Sequence, residues 1–104
     1  MTPEVVKRVK ALEQVCHTRG WTTAIAESCT GGLLSSWICS QPGVSAFFVG
    51  SVVSYARSVK EQFLSVGTTL TRTHGEVSLP VAKAMAAGLR ARVGCAWSLS
   101  ITGI

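Results

Sequence analysis

The sequence predicts an α/β fold, arranged as a three-layer α/β/α sandwich. Three observations lead there. Apolar runs of strand length alternate with segments of helical periodicity in the order α-β-α-β-α-α-β, and such alternation implies a sheet with helices on both faces. The chain is 47% hydrophobic over 104 residues, which suffices for one real core. No internal repeat, low-complexity run or linker interrupts it, so residues 1–104 are expected to form a single domain. Three strands make a thin sheet, and the sheet is expected to be incomplete.

Thr2 is set to cap the first helix, with Pro3 at its first position and Glu4 in its first turn. Val5, Val9, Leu12 and Cys16 recur at helical spacing with Val6 beside them, while Lys7, Lys10 and Gln14 lie off that stripe. Gly20 closes the helix as a C′ glycine. Thr22 to Ala26 reads as a short strand. Leu33, Leu34, Trp37 and Ile38 mark a second helix ending near Ser40, and its register assigns Trp37 to the core rather than to base stacking. Gln41-Pro42-Gly43 then turns the chain.

Phe47 to Tyr55 is rich in aromatic and β-branched residues without clean alternation, as expected of a strand buried on both faces. Gly50 inside it signals close packing or a bulge. A short helix follows, with Val59 and Phe63 as an i,i+4 pair. Lys60 lies about 100° from Val59 on the helical wheel, at the edge of the apolar face and within reach of the strand ends. Gly67 to Gly75 reads as a polar loop. Ser78 caps a long helix with Pro80 in its first turn and Ala82, Met85, Ala86, Leu89 and Val93 as its buried face. Ala84, Ala86, Ala87 and Gly88 permit close packing of that helix, and Gly94 ends it. In the last strand, Cys95 to Ile101, the residues Trp97, Leu99 and Ile101 alternate against Ser98 and Ser100.

Charge narrows the functional classes. Charged residues make up only 14% of the chain, which points to an oligomer interface, to a missing partner segment, or merely to an apolar sequence. The net charge is +5, but the bases are dispersed apart from Lys7, Arg8 and Lys10. Without a basic stripe and interleaved aromatics, nucleic-acid binding is not the expected role. All five acids are Glu, which argues against a carboxylate-rich Mg²⁺ or Ca²⁺ site. Cys16, Cys29, Cys39 and Cys95 form no C-x-x-C pair and do not complete a zinc spacing with His17 and His74. Cys16, Cys39 and Cys95 are expected to be small core residues. No metal or cofactor is expected. The uncharged stretch between Glu27 and Arg57 is broken by Gly31-Gly32, Ser35-Ser36 and Gln41-Pro42-Gly43 into pieces too short to span a bilayer. The free-cysteine pattern and the absence of a signal peptide fit the cytoplasm.

The chemistry concentrates in Ala26-Glu27-Ser28-Cys29-Thr30-Gly31-Gly32, a strand-to-helix turn. Unpaired amides at a helix start favour negative charge, and paired glycines let a ligand approach the backbone. If the strands are parallel neighbours, Glu27-Ser28-Cys29-Thr30, Tyr55 and Thr102 end close together, with Lys60 after the second strand. A Ser beside a neutral Lys is a route to an activated nucleophile. Arg57, one turn before Lys60, would favour the neutral amine if the two came close. Cys29 is a rival nucleophile, for which His74 is the only candidate base.

The same seven residues strongly resemble the signature of the CinA C-terminal domain, or PncC, family of nicotinamide mononucleotide amidases. The resemblance continues through Pro42-Gly43-Val44-Ser45 to Val49-Gly50, Val52-Val53-Ser54-Tyr55, Lys60, His74-Gly75-Glu76-Val77-Ser78, Ala82 to Gly88, and Ser100-Ile101-Thr102-Gly103-Ile104. It implies hydrolysis of the carboxamide of nicotinamide mononucleotide to the acid and ammonia, without a cofactor, by Ser28 as nucleophile and Lys60 as base. Tyr55 is implied as a catalytic partner. Glu27, Cys29, Thr30, Gly31, Gly32, Arg57, Thr102 and Gly103 are implied as substrate contacts, with Thr30, Gly31 and Gly32 giving backbone donors or a phosphate cradle. Arg57 stands where the family usually has Asn, and family domains continue past the Thr-Gly-Ile motif. The alternative expectation is therefore a truncated, non-catalytic remnant that binds a nucleotide or a protein. Self-association is expected in either case if apolar edges are left open.

Overall fold

All five residues of β1 (Thr23–Glu27) are buried, because the strand has a neighbour on each side and helices on both faces. In the computed structural model, which describes residues 1–104, the sheet order is β2-β1-β3. Both β2 (Phe48–Val53) and β3 (Trp97–Ile101) run parallel to β1. Alternation along β1 directs Ala24 and Ala26 to one face and Ile25 to the other. The two alanines pack with Leu64, Val66, Val81, Met85, Leu89 and Cys95, a core formed with α3 (Arg57–Leu64), α4 (Thr68–His74) and α5 (Leu79–Val93). Ile25 packs with Val9, Cys16, Ile38, Val44 and Phe47, a core formed with α1 (Pro3–Arg19) and α2 (Leu33–Cys39). These two cores make the three-layer α/β/α sandwich that the element order predicts.

The helix ends obey their local signals. The Thr2 hydroxyl accepts the Val5 amide at 3.2 Å, and Gly20, at φ +64°, turns the chain out of α1. The Ser78 hydroxyl accepts the Val81 amide at 3.3 Å to start α5. α5 then approaches the sheet closely. The Ser98 and Ser100 hydroxyls, on the β3 face beneath it, each donate at 2.6 Å to its Ala86 and Ala82 carbonyls.

Several expectations need correcting. The segment expected as a polar loop, 67–75, is mostly helical: α4 covers Thr68–His74. β2 is not buried on both faces. It is an edge strand along which half-buried and exposed residues alternate, leaving Val49 and Val53 about half exposed. The register slips between Thr23 and Ala24 opposite Phe48 and Gly50, so Gly50, at φ +154°, marks a bulge and not a close contact. The buried positions of α3 are Lys60 and Leu64, while Phe63 faces solvent. Val93 is exposed and Val81 takes the core position on α5. Cys39, the last residue of α2, is exposed, unlike Cys16 and Cys95.

Candidate active site

Parallel pairing brings the carboxyl ends of all three strands to one edge of the sheet, where α/β folds bind ligands. Glu27, Val53 and Ile101 stand in register there. The chain leaves them through Ser28, through Ser54 and Tyr55, and through Thr102 and Gly103. These ends border an open pocket of about 180 Å³ lined by Ser28, Tyr55, Thr102 and Gly103 together with Lys60, Glu76 and Val77.

Lys60 comes from the inner face of α3 and is 1% exposed. Its Nζ lies 2.9 Å from the Ser28 Oγ and 2.7 Å from the Tyr55 carbonyl oxygen, with Glu76 Oε1 at 3.5 Å. Three partners fill the three directions left around a nitrogen already bonded to its Cε. A neutral amine satisfies them by donating to Tyr55 and Glu76 and accepting the Ser28 proton, and an ammonium satisfies them by donating to all three. Ser28 is itself buried, so the pair meets in a desolvated corner of the pocket. The Tyr55 contribution to this contact is its carbonyl, and its side chain is largely exposed at the pocket wall.

The sequence puts Glu27 among the substrate contacts, but the structure turns it inward. Its carboxylate is buried at the start of α2 and accepts the Thr30 hydroxyl at 2.6 Å, the amides of Gly32, Leu34 and Ser35 at 2.8–3.2 Å, and the Ser35 hydroxyl. Burial works to raise its pKa, yet the Ser35 and Thr30 hydroxyls and the Ser35 and Leu34 amides outweigh that and hold it below the ordinary value of 4.5. The expected role of the helix start is corrected accordingly. Its Gly32, Leu34 and Ser35 amides serve an internal carboxylate, so they are not free to hold a substrate oxyanion or phosphate. Gly31 donates to the Ser28 carbonyl. The Ser28, Cys29 and Thr30 amides donate to no protein acceptor and are free donors of the turn.

Cys29 is exposed, carries no hydrogen-bonded base and stays outside the pocket lining. A Cβ at Gly103 would come within 3.0 Å of its sulfur, so the bare glycine lets the third strand end close against the turn. His74 is exposed in the last turn of α4 and also lies outside the lining. Arg57 pairs with Glu61 at 3.1 Å and does not line the pocket.

Sequence reasoning missed three contributors. Ser35 completes the shell around Glu27, and Ser54 donates its amide to the Glu27 carbonyl at 2.7 Å. Glu76 reaches Lys60 from the connection between α4 and α5, where its own carbonyl accepts the Thr102 hydroxyl at 2.9 Å. A lone carboxylate between two glycine- or serine-marked ends was the only available signal for Glu76.

Comparison with known proteins adds the following. Residues 6–104 match the family described as "CinA C-terminal domain". A CinA-like protein of Synechococcus sp. (strain CC9902) is 51% identical over 85 residues, which are 82% of this chain and 20% of that protein. A CinA-like protein of Gloeobacter violaceus is 46% identical over 85 residues, again 20% of its length. Among solved structures, the competence/damage inducible protein CihA of Agrobacterium tumefaciens superposes with a TM-score of 0.96 at 30% identity, covering 100% of this chain and 63% of that one. A CinA superfamily protein of Escherichia coli gives 0.94 at 30% identity, covering 99% and 61%. The chain thus spans about a fifth of the length of these curated relatives and about three-fifths of these solved structures.

Proposed function

The chain belongs to the CinA C-terminal domain family, and from that premise we propose that it is an amidohydrolase acting on the carboxamide of nicotinamide mononucleotide. The observation that carries this reading is the buried 2.9 Å contact between the Lys60 amine and the Ser28 hydroxyl, open on one side to the pocket.

Neutral Lys60 takes the Ser28 proton as Oγ attacks the carboxamide carbon. The oxyanion that forms meets the free Cys29 and Thr30 amides. Lys60 returns the proton to the departing nitrogen, ammonia leaves, and an ester remains on Ser28. Water, deprotonated by Lys60, then attacks the ester, and nicotinic acid mononucleotide departs as Ser28 recovers its proton. The Tyr55 carbonyl anchors Lys60 throughout, and the Tyr55 side chain, Thr102 and Gly103 form the walls that the substrate meets. Arg57 is held by Glu61 outside the pocket lining and is given no part in this cycle. The cycle uses no cofactor or metal.

Ammonia release from nicotinamide mononucleotide by the purified protein tests this reading. Ser28→Ala should lower turnover at least about a thousandfold, and Lys60→Met at least about a hundredfold. No turnover by the unmodified protein sinks the reading. Nucleotide binding without turnover in a calorimetric titration would favour a binding module instead.

The same reading expects the reaction in the cytoplasm, by associated copies. No helix is long and apolar enough to cross a membrane. Val5, Trp37, Trp97 and Leu99 line an open apolar groove of about 330 Å³ that shares no residue with the Ser28 pocket. Sedimentation should show a dimer or larger species at micromolar concentration, and a monomer there would contradict the expectation.

A further inference from the structure

Glu76 is the only carboxylate on the wall of the Ser28 pocket, and the reaction cycle above gives it no task. Glu27 is turned away into α2, and Glu61 is engaged by Arg57. The Glu76 side chain is 43% exposed while that of Lys60, 3.5 Å away, is 2% exposed. The carboxylate is therefore the solvent-reachable member of the pair on the pocket wall. At 3.5 Å the contact with Lys60 is long for a charge-assisted hydrogen bond, so one carboxylate oxygen can turn to a ligand without breaking a tight pair. The backbone there is fixed separately, by the Thr102 hydroxyl on the Glu76 carbonyl and by the Ser78 cap of α5 just beyond it.

We propose that Glu76 determines substrate charge, favouring carboxamides attached to a cationic ring over neutral ones. The proposal rests on the amidase reading for the seating of the carboxamide at Ser28. Two contacts, of 2.9 and 3.5 Å, link the Ser28 hydroxyl to the Glu76 carboxylate through one nitrogen. A ring bonded to a carbonyl under attack at Ser28 can then be seated against that carboxylate. The pyridinium of nicotinamide mononucleotide carries a full positive charge, and its dihydropyridine counterpart carries none while keeping the same carboxamide, sugar and phosphate. In a partly desolvated pocket a carboxylate at that range discriminates between the two. It also opposes the carboxylate that hydrolysis creates, so the acid product is held less tightly than the amide.

Dissociation constants of the pyridinium nucleotide and of its dihydropyridine form are to be measured by calorimetry in a Ser28→Ala background, with and without Glu76→Gln. With Glu76 present the cationic form should bind more tightly, and Glu76→Gln should reduce that preference by about fivefold. The Thr102 contact uses the Glu76 backbone, so it is retained in Glu76→Gln. An unchanged ratio, the absence of any preference, or the absence of binding overturns the proposal. Ammonia release by the protein with Ser28 intact separates the two readings. Charge preference without turnover sinks the amidase and keeps the Glu76 assignment, whereas turnover with an unaltered preference sinks the Glu76 assignment alone.

Discussion

Glu27 carries the local order of the turn. Its carboxylate gathers two hydroxyls and three amides, so the path from β1 into α2 is fixed around one buried charge, with Ser28 as its immediate neighbour. Glu27→Gln would set an amide N–H₂ against these donors and should cost about 2–3 kcal/mol in urea denaturation at neutral pH. The linkage has a definite sign. The folded-state pKa of Glu27 is lowered, so its stabilisation is complete above the ordinary value of 4.5 and is lost as pH falls below that value. The stability gap between the parent and Glu27→Gln should therefore narrow on acidification toward pH 3, and a gap independent of pH would contradict the assignment. Ser28 and Lys60 were legible because the motif order and the helical wheel point to them. The inward turn of Glu27 was not, since a carboxylate next to a nucleophile reads equally well as a ligand contact until the course of residues 28–35 is known.

At the scale of elements, the placement of Lys60 depends on how tightly α3 meets α5. Gly88 on α5 faces the end of α3, and a Cβ there would overlap the Leu64 carbonyl oxygen and carbon. Both are backbone atoms, so relief requires moving one helix. Gly88→Ala should lower stability by about 1–3 kcal/mol despite the better helix propensity of alanine, and it should reduce turnover through Lys60. A thermal melt at or above that of the parent would show that the two helices do not constrain each other. The small residues of α5 were readable as a close-packing signal, but the partner was not. α4 was not readable at all. Its seven residues, Thr68–His74, include four with modest helix propensity because of β-branching, and only Leu70 and Thr71 turn toward the protein. Packing against α5 sustains a helix that local preference does not announce. β2 misled for the opposite reason: its composition suits a buried strand, but the sheet order leaves it on an edge.

Across the whole molecule, the three parallel strands act as a frame that delivers four separate segments to one pocket. Residues 28 and 60, joined by a hydrogen bond, and residues 76 and 102, joined by another, come from the end of β1, the inner face of α3, the α4–α5 connection and the end of β3. The alternation of strands and helices made the layered fold legible, since a parallel sheet with both faces covered follows from that order. Which strand lies in the centre was not legible, and it is the central position of β1 that buries Ser28 and brings Lys60 to it. The chemistry proposed for this arrangement is acyl transfer through Ser28. Its most direct test is the mass of the peptide carrying Ser28 and Cys29 after acid quenching during turnover of nicotinamide mononucleotide. The predicted result is a nicotinoyl nucleotide ester mapped to Ser28 and absent from Ser28→Ala. An adduct on Cys29, or undiminished ammonia release by Ser28→Ala, would contradict it.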